Sequence, residues 1–284
     1  MTSTPETVVA AVGVRAAPDW GRVLETLCRG VDELVSRAVG IELSWSTTVV
    51  VHGDDLESGR ARLTTDGLDW ERVAARFAAG DPESVTLTAQ STEMREAYLA
   101  DPDPERYDPR MYVAEVRATF PTRIPGGAEP SGGLRVRTTM SRWALFGGGD
   151  RLDWLAGPLR GWLAYGAETI GADTGYVAVE ESSPTDDRSP VERERDLLAS
   201  HRDFPRWLWG VGWGTLLGPG HVAAIGGPAS LEAVEGTVYQ VPGGRWWIEL
   251  GPDPGAVREQ QATALLAALA PALRDADDPT ADGA

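Results

Sequence analysis

The stretch Trp207-Leu-Trp-Gly-Val-Gly-Trp-Gly-Thr-Leu-Leu-Gly-Pro-Gly-His-Val-Ala-Ala-Ile-Gly-Gly227 organises this chain. Three of the eleven tryptophans lie within its first seven residues, interleaved with glycines. Large rings beside residues without side chains are typical of a buried segment, because glycine lets a ring or a neighbouring backbone approach closely. Pro219 then marks the start of a short helix and Gly226-Gly227 its end. The stretch therefore predicts a buried strand, a tight turn and a helix of about two turns.

A second segment, Trp246-Trp-Ile-Glu-Leu-Gly251, follows and is itself followed by Pro254. Together with this segment we consider a set of residues from the first stretch: Gly210, Trp213, Thr215, Leu217, Val222 and Gly226-Gly227. This pattern resembles the C-terminal region of the type VI immunity family, which is similar to other immunity proteins of bacterial toxin systems. The resemblance is clear from Trp207 to Pro254 and looser from Arg135 to Gly175. In the N-terminal third it rests on length and the order of elements. It implies a protein that binds a cognate toxin, although the motif itself specifies packing and no chemistry.

The chain is acidic. Its 284 residues include 43 Asp and Glu against 26 Lys and Arg, a formal net charge of −17. A negative field of this size opposes binding to nucleic acid and to anionic membranes, and it favours basic partners. An excess of carboxylates also serves solubility alone, so the charge has two readings.

No motif of catalysis, metal binding or cofactor binding is present. Cys28 is the single cysteine, and His52, His201 and His221 are far apart in sequence. The glycines of Gly210–Gly214 surround the bulky Trp213, whereas a phosphate-binding loop needs open backbone. The sequence thus predicts no catalytic residue, no metal and no cofactor. A site assembled from distant residues stays open as an alternative.

The N-terminus lacks a basic region followed by an apolar stretch, and no window approaches eighteen consecutive apolar residues. With one cysteine, no intramolecular disulfide can form. We therefore expect a soluble, cytoplasmic protein. The acidic stretch 275–284 is expected to be disordered.

The order of helical and strand patterns predicts an α+β fold. Asp19 is a predicted N-cap for a helix ending at Gly40, and Asp150 is a predicted N-cap for a second long helix ending at Gly171. Arg29-Gly30 and Arg160-Gly161 each lie ten residues before those final glycines, which indicates a duplicated β-α-β unit. We expect two similar halves with antiparallel or mixed sheets packed against helices, in a ferredoxin-like duplication.

The Pro/Gly-rich stretch 121–133 is the predicted boundary between these halves. The expected division is an N-terminal α+β half at 1–120, the linker at 121–133, a C-terminal half at 134–274 and the tail at 275–284. The C-terminal half contains the predicted packing residues Trp207, Gly210, Trp213, Gly226, Gly227 and Trp247. Of these, Trp207, Trp213 and Trp247 are expected to be largely buried.

The function that follows is a non-catalytic immunity protein that binds and masks a cognate toxin or effector domain of basic charge, with no nucleic acid and no membrane as partner. Two acidic loops are the predicted contact sites: Asp101, Asp103, Glu105 and Asp108 in the first, and Glu180, Glu181, Asp186 and Asp187 in the second. Two alternatives stay open. One is an enzyme with a site between the halves, and the other is a structural or adaptor protein of a secretion or injection assembly. The sequence leaves the oligomeric state open.

Overall fold

The computed structural model describes residues 6–15, 19–52, 60–79, 82–102, 108–121, 133–146, 151–181 and 203–273. Most of the predicted linker and the whole acidic tail lie outside these ranges.

Ten strands of the described chain form one sheet. They are β1 Glu6–Val14, β2 Leu43–His52, β3 Arg60–Asp66, β4 Pro82–Ser91, β5 Tyr112–Thr119, β6 Leu134–Ser141, β7 Thr174–Glu181, β8 Gly214–Leu217, β9 Thr237–Val241 and β10 Arg245–Glu249. Their order across the sheet is β3-β2-β4-β5-β6-β1-β7-β8-β10-β9. Every neighbouring pair is antiparallel. The α+β class and the antiparallel sheet are therefore confirmed.

The strand order differs from a ferredoxin-like duplication. Strand β1, from the N-terminal half, lies between β6 and β7 of the C-terminal half, pairing Val9 with both Thr139 and Ala178. Strand β5 continues the sheet on the other side of β6. Both halves thus contribute to one continuous sheet. A Val-rich run predicts a strand but does not specify which strands it pairs with. The position of β1 between β6 and β7 therefore could not be predicted from the sequence pattern.

The helices are α1 Trp20–Arg29, α2 Ser36–Ala38, α3 Trp70–Ala79, α4 Thr92–Ala100, α5 Asp153–Thr169, α6 Pro219–Ala224 and α7 Glu259–Leu269. Short 3-10 turns at Pro109–Met111, Arg142–Ala144, Pro228–Ala233, Pro242–Gly244 and Ala270–Ala272 complete the connections. The predicted short helix after Pro219 is present, and Gly226 and Gly227 end it at φ values of +86° and +104°. The helix α4 has no counterpart in the sequence prediction.

The first long helix is interrupted. Asp19 caps it as predicted, since its carboxylate accepts from the Gly21 amide at 2.7 Å. From Gly30 to Val35, however, the backbone is a π-helix that joins α1 to α2. A Cβ at Gly30 would lie 2.8 Å from Val116 and 3.0 Å from Thr138. Glycine therefore lets this segment lie directly on strands β5 and β6.

The second long helix starts later than predicted. Helix α5 begins at Asp153 with Leu152 as its N-cap, and Asp150 lies outside the described residues. The Leu152 amide donates to the Asp253 carboxylate at 3.0 Å. The hydrogen-bond acceptor for this amide at the start of α5 thus comes from a loop distant in sequence. A local capping pattern does not reveal such an acceptor.

The sheet buries residues on both faces. Val8, Ala10 and Val12 belong to the main core together with Leu27 of α1 and Leu159 of α5. On the opposite face, a smaller cluster contains Val9, Ala11, Tyr176, Ala178, Phe204 and Trp209. The segment after residue 203 therefore covers the centre of the face that lies away from α1 and α5.

Candidate partner-binding surface

Both predicted acidic loops adjoin the same end of the sheet. Strand β4 ends at Ser91, helix α4 follows it, and the first loop connects α4 to β5, which begins at Tyr112. The second loop follows β7, whose final residue Glu181 pairs with Glu6 at the start of β1. Strands β6 and β1 separate β5 from β7. At the usual strand spacing, the end of the first loop and the start of the second therefore lie roughly 14 Å apart.

Within the first loop, Asp101 is exposed and Asp108 pairs with Arg110. Arg110 donates from Nε to the Asp108 carboxylate at 3.0 Å and from Nη2 at 2.6 Å. The Arg110 hydrogen bonds hold the pKa of Asp108 below its usual value, so this carboxylate stays ionised but neutralised. Asp103 and Glu105 lie outside the described residues.

Within the second loop, Glu180 and Glu181 point to different environments. Glu180 is 9% exposed, and its carboxylate lies 3.6 Å from the guanidinium of the equally buried Arg137. Glu181 is exposed. Asp186 and Asp187 lie outside the described residues. Asp101, at the C-terminal end of α4, and Glu181, at the end of β7, are therefore the two exposed residues among the predicted contacts in the described ranges.

Aromatic side chains are exposed at the same end of the sheet. Trp143 and Phe146 follow the last residue of β6 and are 38% and 58% exposed. The Phe146 amide donates to the Ala38 carbonyl at 2.9 Å, which holds this connection against the segment that leads into β2. We call Glu6, Asp101, Trp143, Phe146 and Glu181 the sheet-end surface.

Sequence reasoning missed the aromatic part of this surface. Trp154, in the first turn of α5, is a further exposed aromatic residue, at 40%. The available signal was Arg142-Trp-Ala-Leu-Phe146, an aromatic-rich segment between a strand and a glycine run. Such a segment is compatible with burial or exposure, and only the packing of neighbouring elements decides between them.

The tryptophan and glycine motif packs the C-terminal part of the sheet. Trp213 is 1% exposed and Trp247 3% exposed, as predicted, and their rings meet edge to face with centroids 6.4 Å apart. A Cβ at Gly214 would overlap the Trp247 ring, and one at Gly210 would overlap the Tyr176 ring. The packing interpretation of these glycines agrees with this geometry.

One tryptophan of the motif was assigned wrongly. Trp207 is only half-buried, beneath the Arg206 guanidinium, which lies 4.5 Å from the ring centroid. Trp209 is the buried ring instead, at 1% exposure, and it packs edge to face on Tyr176. The strand begins only at Gly214, so alternation along 207–213 does not follow a strand period.

A small pocket lies between α5 and the β8, β9 and β10 strands. Its volume is about 160 Å³, and its walls include Leu163, Ala164, Leu216, Tyr239 and Trp247. At one side, Arg160 donates to both carboxylate oxygens of Glu249, at 2.8 and 2.6 Å. The indole of Trp247 donates to the same carboxylate at 3.1 Å. Burial raises the pKa of Tyr239.

The described residues offer few groups suited to catalysis. Burial, with the nearby Asp32 carboxylate, raises the pKa of the Cys28 thiol, which disfavours a thiolate. Burial also lowers the pKa of His221 to about 4, and its Nδ1 accepts from the Gly218 amide at 3.0 Å. No cluster of three or more His, Cys, Asp or Glu in the described chain is arranged to hold a metal. None of the described helices is both long and apolar enough to cross a membrane.

Comparison with known proteins gives one informative likeness. No family model matches the chain, and no curated protein matches it. Among solved structures, the Pseudomonas aeruginosa T6SS protein PA0821 has a similar fold, with a TM-score of 0.52 and 14% sequence identity. The alignment covers 95% of this chain and 73% of that one. At this identity the likeness concerns the fold.

Proposed function

We propose that this protein is an immunity protein of a type VI secretion setting, which binds and masks a cognate toxin domain and catalyses no reaction itself. The fold likeness to a T6SS protein over 95% of the chain is the observation that carries this proposal. The tryptophan and glycine motif supports it, because that motif resembles the type VI immunity family. The finer assignment to toxin immunity rests on the motif and on charge.

The sheet-end surface is the proposed contact. Protein interfaces combine aromatic anchors at their centre with a polar rim. Trp143 and Phe146 supply exposed aromatic rings, Glu181 supplies a carboxylate at the same end, and Asp101 supplies one at the start of the first loop. The −17 charge favours encounter with a basic toxin domain and a fast, salt-sensitive association. Asp108, Glu180 and Glu6 contribute less to this field because each faces an arginine.

The experiment is to co-express the protein with the products of adjacent genes, purify any complex and measure its association kinetics in low and high salt. The Debye length falls from about 10 Å at 0.1 M to about 3 Å at 1 M, so association should slow markedly. A double variant, Asp101→Lys with Glu181→Lys, should lower the on-rate about tenfold in low salt and change the off-rate about twofold or less.

Glu71→Lys reverses an exposed carboxylate on α3 and is the control for charge reversal at a distant position, with a charge change of +2 against +4 for the double variant. It should leave the on-rate close to that of the unaltered protein. Salt-independent association, or equal effects of the control and the double variant, would contradict masking through this surface. Turnover of a small molecule with no complex formed would favour the enzyme, and assembly with secretion components alone would favour the adaptor.

A further inference from the structure

The two edge strands of the sheet differ in how they are protected. Strand β3 carries Arg62 and Asp66, and Asp66 pairs with Arg95 of α4 at 2.9 Å. Strand β9, Thr237-Val-Tyr-Gln-Val241, has no charged residue and no proline within its span. Natural sheets usually protect an edge with charges, proline or a covering element, since an open edge invites another strand. By this criterion β9 is the unprotected edge.

The edge of β9 has open backbone groups. Its register partners are residues 245–249 of β10, on one side only. Among the described residues, no further backbone hydrogen bond outside that ladder involves residues 237–241. Alternate residues of an edge strand direct both N–H and C=O away from the sheet. Strand β9 can therefore accept a further strand without losing a backbone hydrogen bond that the described chain makes.

One wall of the pocket beside β9 is a row of side chains that runs across neighbouring strands. Leu216, Trp247 and Tyr239 are directly paired across β8, β10 and β9, and all three line the pocket. Helix α5 forms the opposite wall, where the small side chains of Ala164 and Ala167 leave the space of about 160 Å³. A residue opposite Tyr239 on an added strand would be the next member of this row. Its side chain would face the pocket.

The charge at the pocket favours a cation. Arg160 is committed to Glu249, so that pair is neutral. Glu168, one turn beyond Ala164 on α5, also lines the pocket, is exposed and makes no hydrogen bond or ion pair with the described residues. A carboxylate is thus available beside an apolar cavity, which suits an apolar side chain and a nearby Lys or Arg.

We propose that β9 and this pocket bind an extended segment of a partner protein, which adds an eleventh strand to the sheet. The segment places an apolar side chain opposite Tyr239 and a Lys or Arg beside Glu168. A second copy of this chain fits less well, because its own β9 carries no basic residue and each copy carries a charge of −17. This strand-addition site involves none of the residues of the sheet-end surface and stands independently of the proposed function.

A random library of seven-residue peptides, displayed and selected on the immobilised protein, tests this inference. We expect enriched peptides to alternate apolar and polar residues and to carry at least one Lys or Arg. Binding of the most enriched peptide should shift the amide resonances of residues 237–241 in an NMR titration. The affinity is then measured by fluorescence anisotropy for the wild type and for variants.

Two variants address the two halves of the inference. Ala164→Leu fills the pocket and Glu168→Lys reverses its charge, and both positions are exposed, so the fold should tolerate them. Each should weaken peptide binding about tenfold, or 1.4 kcal/mol. The control Glu71→Lys and the sheet-end variant Asp101→Lys with Glu181→Lys should both stay within about twofold.

No enrichment over an unrelated acidic protein, or enriched peptides whose affinity is unchanged in both pocket variants, would overturn the inference. Amide shifts confined to another surface would do the same. Sedimentation that shows a dimer whose formation competes with the peptide would assign the edge to a second copy instead. Since the sheet-end variant is tested in parallel, failure here is distinguishable from failure of the toxin-masking proposal.

Discussion

Two groups of aromatic side chains in this protein have opposite environments. Trp209, Trp213 and Trp247 are 1%, 1% and 3% exposed, whereas Trp143, Phe146 and Trp154 are 38%, 58% and 40% exposed. Both groups have a glycine against a ring, since Gly214 lies on Trp247 and Gly40 lies on Phe146. The second group precedes or follows a glycine run in sequence, Gly147-Gly-Gly149, that lies outside the described residues. A glycine beside an aromatic residue therefore does not decide whether the ring is buried. The packing of the neighbouring elements decides it.

The largest expected effect of a substitution falls on the buried group. Trp213→Ala removes a ring that packs on Trp247 and whose indole donates to the Gly251 carbonyl at 2.7 Å. The cavity should reduce the free energy of unfolding by about 3 to 5 kcal/mol. Urea denaturation followed by circular dichroism measures this change. A Trp213→Ala variant with unaltered stability but lost partner binding would move this ring from the core to a binding site.

The next effect concerns pH and the buried His221. Its Nδ1 accepts the Gly218 amide proton, so the neutral ring carries its proton on Nε2, near the carbonyls of Trp207 and Phe204 but without a hydrogen bond of normal geometry. Burial lowers the pKa of His221 from 6.5 to about 4, against those carbonyls and the Asp203 charge, which favour the cation. The unfolded chain therefore binds a proton between these pH values and the folded chain does not.

Stability should accordingly fall as the pH drops through this window and be fully present above pH 6.5. From pH 7 to pH 5 the loss attributable to His221 is about 2 kcal/mol. His221→Asn keeps an acceptor near the Gly218 amide and removes the titration. The difference in unfolding free energy between the wild type and this variant, measured at both pH values, isolates the histidine. An equal pH dependence in both proteins would show that other groups govern acid unfolding.

Local rules predicted the parts of the fold that depend on neighbouring residues. Asp19 caps α1 by accepting from the Gly21 amide at 2.7 Å. The short helix that starts at Pro219 ends at Gly226 and Gly227, both with positive φ values. These features need only a few consecutive residues. They could therefore be inferred without any knowledge of the tertiary structure.

Long-range packing accounts for what the sequence did not predict. The two Arg-Gly pairs illustrate this, because Gly30 lies against Val116 and Thr138 whereas a Cβ at Gly161 would meet no atom within 4 Å. The glycine of the same dipeptide thus allows a close contact between helix and sheet in the first helix, whereas in the second helix it has open space beside it. The insertion of β1 between β6 and β7, and the hydrogen bond from Leu152 at the start of α5 to Asp253, also depend on residues far apart in sequence.

The acidic residues of the candidate site could be predicted from the sequence, whereas its exposed aromatic residues could not. Acidic loops are visible as runs of Asp and Glu, and their origin at one end of the sheet follows only from strand order. Glu180 shows the limit of counting charges, since alternation along β7 places it beside Arg137 and Glu181 in solvent. Whether Trp143 and Phe146 are exposed depends on which elements cover the end of β6. No pattern in the sequence encodes that coverage.

The smallest expected effect on stability falls on the exposed group, and it is there that binding should respond. Phe146→Ala removes a ring that is 58% exposed and touches Gly40, so the free energy of unfolding should change by about 1 kcal/mol or less. If Phe146 is an anchor of the proposed interface, the same change should raise the off-rate of the toxin complex about tenfold. Trp213→Ala should show the converse, with a large loss of stability and, at temperatures where it stays folded, a near-normal off-rate.

Surface plasmon resonance with the co-purified partner measures the off-rates of both variants. An unchanged off-rate for Phe146→Ala would remove this aromatic residue from the interface and leave the carboxylates of the sheet-end surface to account for binding alone.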